Sequence, residues 1–359
     1  MARSIVAIRP VQEEDAQGLA QSNRSLNSPH APTGLEAVKR IIAASQDSLS
    51  GKSVPTQVNV VAEEMYVHGG RRIVGGGALV KMGSDGEYPI LWKPNDDGSF
   101  SRFRYTQPTL EFGGASVALD AQNMGVGKGI TAARALIARK YGSLFGAGHV
   151  LSDFLPPLDN VDTKENIFWS DVIVSALRES GTLQQVMAYC QEKTGVHIED
   201  TSTLSAVIGN TMSDADRNAM IDQFFPETIT AKSISPEARR ITQSVNGPTE
   251  AARANLLKIF GDAFKIIGAF PINGGPNYAA PAELGPTGEG PTPVRIRELT
   301  EGRVKMLLFR PLGEGFEGLR NFHASMVRGD IIGSHTIISE ETARMTGIKK
   351  SDELMRFRL

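Results

Sequence analysis

A chain of 359 residues with 40% hydrophobic and 22% charged side chains carries enough apolar material for a large core, and its length predicts two domains or one heavily elaborated domain, with no compositional case for disorder. The 38 basic and 40 acidic residues leave a formal net charge of −2, which gives no sequence-independent attraction to nucleic acid or to an anionic membrane. Cys190 is the only cysteine, which excludes an intrachain disulfide and a Cys-rich metal site. The opening MARSIVAIRPVQEEDAQ reaches charged residues too early for a signal peptide, and no run of about 18 apolar residues is present, so a cytoplasmic, soluble protein is expected.

Ser4 to Ile8 reads as a short strand, Arg9-Pro10 punctuates it, and Glu13 to Leu26 has helical spacing behind acidic first-turn residues. Val58 to Val67 and Ile73 to Met82 are β-rich runs joined by His68-Gly69-Gly70-Arg71, the composition of a hairpin turn. Gly83 to Tyr105 is polar and turn-rich and predicts a long loop or an irregular hairpin. Ala115 to Asp120 is a short apolar strand leading through Gln122-Asn123-Met124-Gly125-Val126-Gly127-Lys128-Gly129-Ile130 into a helix that ends near Tyr141. Ile130, Ala133, Ile137 and Tyr141 share one face of that helix, which predicts packing on a sheet with Arg134, Arg139 and Lys140 turned outward.

Residues 154–240 read as a mostly helical insertion, clearest over Asn166 to Glu179 and Ser213 to Phe225. Ile241 to Val245 predicts a strand, Glu250 to Phe260 a helix with Pro248 near its first turn, and Phe264 to Phe270 another strand. Glycine and proline crowd Gly274 to Pro293, so 277–293 is expected to be a linker. Val294 to Leu359 alternates polar and apolar residues around Val304 to Phe309 and Ile331 to Ile338, which predicts a C-terminal β-rich region over 294–359.

Gly125-x-Gly127-x-Gly129, between a strand and a helix, removes Cβ atoms where several N–H groups can converge on one anion. A nucleotide P-loop requires Gly, four residues, then Gly-Lys-Ser/Thr; Gln122 stands at the first position and Gly129 follows Lys128, so that pattern fails twice. A dinucleotide fold places its loop after the first strand, with an acidic residue about 20 residues on, whereas here other strands come first. A coenzyme A pyrophosphate loop and a tight turn without ligand remain open.

Three features together resemble the GNAT acyltransferase superfamily: an N-terminal strand ending Ile8-Arg9-Pro10 with Asp15 five residues on, a β-hairpin, and a strand feeding a glycine loop. The loop resembles the superfamily signature in two registers, Gln122-x-x-Gly125-x-Gly127 and Met124-x-x-Gly127-x-Gly129. The second keeps the distance from Leu119-Asp120; it puts Met124 where the family carries Arg, with Lys128 as a compensating charge. Within the superfamily the chain resembles arginine N-succinyltransferase in order along its length, at Glu111 to Gly129, at Glu165-Asn166-Ile167-Phe168-Trp169, at Ile241 to Phe264 and at Gly274-Gly275-Pro276.

The resemblance implies an α+β fold with a GNAT-like mixed, mostly antiparallel sheet flanked by helices, interrupted by a helical insertion and extended by a C-terminal β-rich region. Residues 1–153 and 241–276 would form the GNAT part. It implies an N-acyltransferase of arginine metabolism moving succinyl from succinyl-CoA, or another acyl-CoA, to the α-amine of arginine or a related amino acid. The acyl-CoA is then a co-substrate rather than a permanently bound cofactor, no metal is required, and the partners are acyl-CoA and a small amine, with no nucleic acid and no membrane, in a possible homo- or hetero-oligomer. A GNAT-like enzyme with another acyl donor or amine, and a non-catalytic CoA-binding subunit, remain as alternatives.

Carried over residue by residue, the resemblance assigns the acyl-CoA site to Val117, Leu119, Met124, Gly125, Gly127, Lys128, Gly129 and Ile130, with the amides of Gly127, Lys128 and Gly129 on the pyrophosphate. Phe168 and Trp169 either line the substrate site or pack in a core. Glu111 is either an exposed strand residue or a contact to the acceptor ammonium. His323 is a further catalytic candidate, and Asn246 falls where the family carries a histidine thought to donate a proton. The implied reaction is direct attack of a neutral amine on the thioester, with strand amides near Val117 stabilising the oxyanion and coenzyme A leaving as thiolate.

Overall fold

A computed structural model describes residues 4–24, 32–83, 86–154, 167–230, 232, 234–243, 245, 247–270, 276–282, 289–297, 302–350 and 352–359. The chain opens with β1 (Ser4–Pro10), α1 (Ala16–Asn23), α2 (Leu35–Ser48) and the hairpin β2 (Gln57–Tyr66) and β3 (Arg71–Met82). A second hairpin, β4 (Ile90–Pro94) and β5 (Phe100–Arg104), precedes β6 (Thr109–Val117), α3 (Val126–Tyr141) and β7 (His149–Asp153). Strands β1, β2, β3 and β6 are neighbours in antiparallel order, and β7 joins β6 in parallel. The helices cover both faces of this sheet. Gly75, Gly76 and Gly77 of β3 make room for them: a Cβ would meet Ile130 of α3 at 3.0 Å from Gly75, Leu19 of α1 at 2.5 Å from Gly76, and Ile130 again at 3.1 Å from Gly77. The alternation of a strand thus seats one helix on each side of β3.

The predicted N-terminal signature folds as a buried ion-pair network. Arg9 donates to both oxygens of Asp15, at 2.7 and 2.8 Å, and lies 3.3 Å from Glu63 on β2, while Asp15 also accepts from the Gln12 amide. The Asp five residues after the proline therefore ties the start of α1 to the sheet.

After β7 the chain enters the helical insertion. A π-helical run, Phe168–Val174, leads into α4 (Ser175–Glu179), followed by α5 (Leu183–Thr194), α6 (Thr201–Asn210), α7 (Asp214–Phe224), β8 (Thr228–Ile229) and α8 (Pro236–Ile241). These elements bury their own apolar cluster, which also takes in Trp92 and Phe100 from the β4–β5 hairpin. Of the two readings of Gly83 to Tyr105, a long loop or an irregular hairpin, the hairpin is the one that forms, and its Trp92 and Phe100 belong to the core of the insertion. Among the described residues no strand forms at Ile241 to Val245: Ile241 closes α8, whose start is fixed by Ser235 accepting the Ala238 amide as an N-cap with Pro236 in the first turn, and Thr242 and Gln243 follow as a turn.

α9 (Gly247–Phe260) returns to the sheet and packs on α3, followed by β9 (Lys265–Ala269) and β10 (Pro276–Pro281). β10 lies between β7 and β9, so the Gly/Pro-rich segment read as a linker begins as a paired strand; its Pro residues stand at the two ends of that strand. The remainder comprises β11 (Glu289–Arg297), β12 (Val304–Arg310), α10 (Gly315–Asn321), β13 (His323–Ile332), β14 (His335–Ser339), α11 (Glu340–Thr346) and β15 (Glu353–Arg358). Strands β13, β12, β15, β11 and β14 each pair with the next, and β14 pairs back to β13, closing a five-stranded barrel around Val294, Met306, Leu308, Val327, Ile338 and Leu354. β13 also pairs with β1, which welds the barrel to the sheet. Among the described residues no helix is long and apolar enough to cross a membrane.

Candidate active site

β6 and β7 lie side by side only from Thr109 opposite His149 to Glu111 opposite Leu151, and then part. β6 continues to Val117 on β3, while β7 continues on β10. Among the described residues no strand fills the wedge between them. β6 carries a bulge between Gly113 and Ser116, which shifts its alternation so that Phe112 and Val117 both face α3.

Arg134 of α3 holds that bulge from behind. Its Nη1 donates to the carbonyls of Gly113 at 2.8 Å and Ala78 at 3.0 Å, and its guanidinium carbon lies 5.0 Å from the Phe112 ring centroid. It is only 3% exposed, and among the described residues no carboxylate pairs with it. Burial alone pulls its pKa down to about 10, which leaves it a cation at neutral pH. Helical periodicity had placed Arg134 outward; the side chain turns in because Gly77 has no Cβ, and one would sit 3.2 Å from its guanidinium carbon.

Beyond the wedge, β6 delivers the chain to the glycine turn. Asn123 and Gly125 take left-handed φ of 66° and 83°, and Gly125 caps the start of α3. The Gly129 amide is already committed to the Gly125 carbonyl at 3.1 Å. The amides of Val126, Gly127 and Lys128 are the ones the first turn of a helix leaves without an internal acceptor, so the set able to meet an anion lies one residue earlier than the sequence implied. A Cβ on Gly127 would touch only Val117, at 3.6 Å, whereas one on Gly129 would strike Met326 Sδ at 2.4 Å. Gly129 is therefore required by packing, while Gly127 leaves its side of the turn open.

Next to the parting of the strands lies a cavity of about 290 Å³ whose charged walls are Glu111, Glu87, Asp153, Asp214 and Arg217. Glu111 comes from β6, Asp153 from β7, Asp214 and Arg217 from α7 of the insertion, and Glu87 from the segment before β4. Burial, and secondarily the charge of Asp214, push the Glu111 carboxyl up to about 6. Arg217 is fully committed: Nε donates to the Ile208 carbonyl at 3.0 Å, Nη1 to Asp214 at 2.8 Å and Nη2 to the Met212 carbonyl at 3.3 Å. Asn218 donates to Glu87 at 2.7 Å and closes the wall.

The structure thus gathers Val117, Met124, Gly125, Gly127, Lys128 and Gly129 around the turn and sets Glu111 at the parting of the strands. It does not bring Phe168, Trp169 or His323 to either place. Phe168 and Trp169 are buried in the core of the insertion, with Phe168 edge-on to Phe100 at 5.5 Å and Trp169 Nε1 donating to the Thr201 carbonyl, so they pack rather than line the cavity. Ile130 is fully buried beneath β3, and Leu119 is 72% exposed. His323 stands on β13, four strands away from β6 and roughly 19 Å distant at about 4.8 Å per strand. Asn246 lies outside the described residues, as do Glu165, Asn166, Gly274 and Gly275. Sequence reading missed Arg134, Asp153, Asp214 and Glu87; the last two sit in the insertion and in the segment read as a long loop or an irregular hairpin, where no spacing links them to β6.

No protein-family profile matches the chain, and no curated protein sequence matches it. Among solved structures it is similar to the arginine/ornithine succinyltransferase subunit AI from Pseudomonas aeruginosa, with a TM-score of 0.66 at 15% identity over 99% of this chain and 99% of that one. Parts of it are also similar to a GNAT family acetyltransferase from Brucella melitensis in complex with acetyl-CoA, at 17% identity, 44% of this chain and 79% of that chain with a TM-score of 0.23. The glucosamine-6-phosphate N-acetyltransferase from Arabidopsis thaliana matches at 15% identity, 46% and 88% with a TM-score of 0.26. From its first strand to its C-terminal barrel, the chain has the α+β, GNAT-like fold of the Pseudomonas succinyltransferase subunit.

Proposed function

We propose that the protein is a coenzyme-A-dependent N-acyltransferase that acylates the α-amine of a cationic amino acid such as arginine or ornithine, with succinyl-CoA as the donor to test first. The observation that carries this reading is the parting of β6 and β7 between a helix start that can hold a pyrophosphate and a cavity walled by carboxylates. From Glu111 to Val117 the strand spans about 20 Å at about 3.3 Å per residue, so a donor anchored at the turn needs a long extended arm to reach the cavity. A pantetheine chain is such an arm, and the backbone of β6 in the wedge supplies the polar edge to guide it.

Glu111 is the base in this reading. With its pKa near 6 it is ionised at neutral pH and accepts a proton from the incoming ammonium. An α-ammonium, pKa about 8, lies about two units above it, a cost of about 3 kcal/mol, whereas a side-chain ammonium near 10.4 costs about 6 kcal/mol. That difference favours α-amines. The excess of carboxylates, with Arg217 already saturated, favours an acceptor that carries further positive charge. The Glu111 carboxylate removes the proton, the freed amine attacks the thioester carbonyl, the β6 amides take the oxyanion, and the adduct collapses to the amide as the C–S bond breaks, its surplus N–H proton passing to the departing thiolate to give the free thiol. Turnover of succinyl-, acetyl- and malonyl-CoA against arginine, ornithine, lysine and neutral amino acids, followed by free-thiol release, tests the proposal. Absence of thiol release with every pair would reject it.

A further inference from the structure

The barrel does more than extend the sheet. Met326 on β13 packs its sulfur where a Gly129 Cβ would lie, so this face of the barrel fronts the first turn of α3. Arg328, two residues on, shares that face, and Lys305 of β12 stands directly opposite Arg328 in the antiparallel register. Like charges directly opposed on neighbouring strands are destabilising unless something offsets them. Among the described residues neither has an ion pair, and neither does Lys128 in the first turn of α3. Lys305 donates from Nζ to the Met124 carbonyl, immediately before the cap of α3, and a Gly125 Cβ would meet that nitrogen at 2.9 Å. Burial and then the charges of Arg328 and Lys128 pull the Lys305 pKa down, the mark of a cation surrounded by its own kind. A cavity of about 260 Å³ opens here, lined among others by Met124, Lys305, Arg328, Ser339, Glu341 and Thr342.

We propose that Lys305 and Arg328 of the C-terminal barrel, together with Lys128, form a phosphate-binding subsite for the nucleotide end of the acyl donor. This rests on the coenzyme A reading of the glycine turn and adds to it. The turn itself carries Met124 and no arginine, so the charge that holds a polyanion comes from a remote part of the chain, and the barrel is a working part of the donor site. The ligand chemistry is a phosphate monoester or pyrophosphate, and coenzyme A offers both.

The test is calorimetric titration of the full-length protein with coenzyme A and with dephospho-coenzyme A at two salt concentrations, in wild type, Lys305→Met, Arg328→Gln and the double variant. Arg328 is exposed, so its substitution leaves the fold intact. Each single change is expected to weaken coenzyme A by about tenfold and to flatten the salt dependence. A loss confined to coenzyme A assigns the 3′-phosphate to the cations, and an equal loss for dephospho-coenzyme A assigns the pyrophosphate. Wild-type affinity in the double variant overturns the subsite while leaving the coenzyme A reading in place. A weaker affinity with an unchanged salt dependence overturns it too, because charge would not be the cause. Absence of binding by the wild type removes both readings.

Discussion

The guanidinium of Arg134 donates to the Gly113 carbonyl from the far side of β6, so a buried cation without a carboxylate partner among the described residues sits directly behind the strand edge where the proposed chemistry occurs. The carbonyls of Gly113 and Ala78 would both lose a donor in Arg134→Met, although the change also removes a desolvated charge. The expected net effect is a loss of about 1–3 kcal/mol, read by urea unfolding, with weaker donor binding because the bulge relaxes. A more stable Arg134→Met protein would mean that the desolvation cost of the cation outweighs its two hydrogen bonds.

Glu111 should show a conflict between stability and function. Its folded-state pKa, about 6, lies above the ordinary 4.5, so the native state keeps a proton that the unfolded chain has already released. Wild-type stability therefore falls as pH rises from about 4.5 to 6, and the full cost, about 2 kcal/mol, persists above that. Glu111→Gln should be more stable than wild type by about that amount at pH 7.5 and equal to it near pH 4. Its turnover should drop by about 10²- to 10⁴-fold. In the wild type turnover should rise with pH through about 6. Thermal unfolding at the two pH values, paired with thiol-release assays, checks both halves.

How much of this was legible in the sequence depends on whether the signal is local. The strand–turn–helix around Gly125, the β2–β3 hairpin and the helix to Tyr141 were readable because glycine spacing and periodicity are properties of neighbouring residues. Arg134 was not: the apolar periodicity of Ile130, Ala133, Ile137 and Tyr141 said outward, and only the glycines of β3, some 55 residues away, admit it to the core. Phe168 and Trp169 were ambiguous, because an aromatic pair on a helix reads the same whether it meets substrate or Phe100. Lys305 and Arg328 escaped because their partner, the Met124 turn, lies about 180 residues earlier and meets them only in the folded chain, where β13 pairs with β1.

His323 is predicted to act on stability and not on turnover. Burial, then the charges of Arg310 and Arg9, depress its pKa to about 4, so the native state excludes a proton that the unfolded chain binds below about 6.5. Its contribution is fully present above pH 6.5 and is lost as pH falls toward 4, by up to about 3 kcal/mol. His323→Gln should flatten that acid limb and leave the pH profile of turnover unchanged. A shifted profile would return His323 to the catalytic site despite the three strands between them.

Cys190 is enclosed by sulfur, with its thiol 3.5 Å from Met212 Sδ and 3.3 Å from Met220 Sδ, and burial pushes it up to about 11. A thiol that is neutral at pH 7 and sealed in a core is no nucleophile. Cys190→Ala should retain nearly all turnover, and the wild-type thiol should react with Ellman's reagent only after denaturation. An acylated Cys190 trapped from a reaction mixture would reject direct transfer.

The three glycines of the turn should separate into two roles. Gly125 holds φ at 83°, where any side chain is strained, so Gly125→Ala should cost about 1 kcal/mol in stability before any ligand is considered. Gly129 faces Met326 at a separation that no Cβ can share, so its substitution disrupts the seam between α3 and the barrel. Gly127 differs from both: its backbone is in the first helical turn and an added Cβ meets Val117 at an ordinary 3.6 Å. The folded chain by itself would accept alanine there, and helix propensity would favour it by up to about 1 kcal/mol. What a side chain at Gly127 obstructs is the approach of a ligand to the amides of Val126, Gly127 and Lys128. Gly127→Ala should therefore unfold at the same or a higher temperature than wild type yet bind coenzyme A more weakly, and the branched Gly127→Val should abolish binding while remaining folded. Circular dichroism melting and calorimetric titration on the same preparations give both readings, and a folded Gly127→Val protein with wild-type affinity would remove the pyrophosphate from this turn.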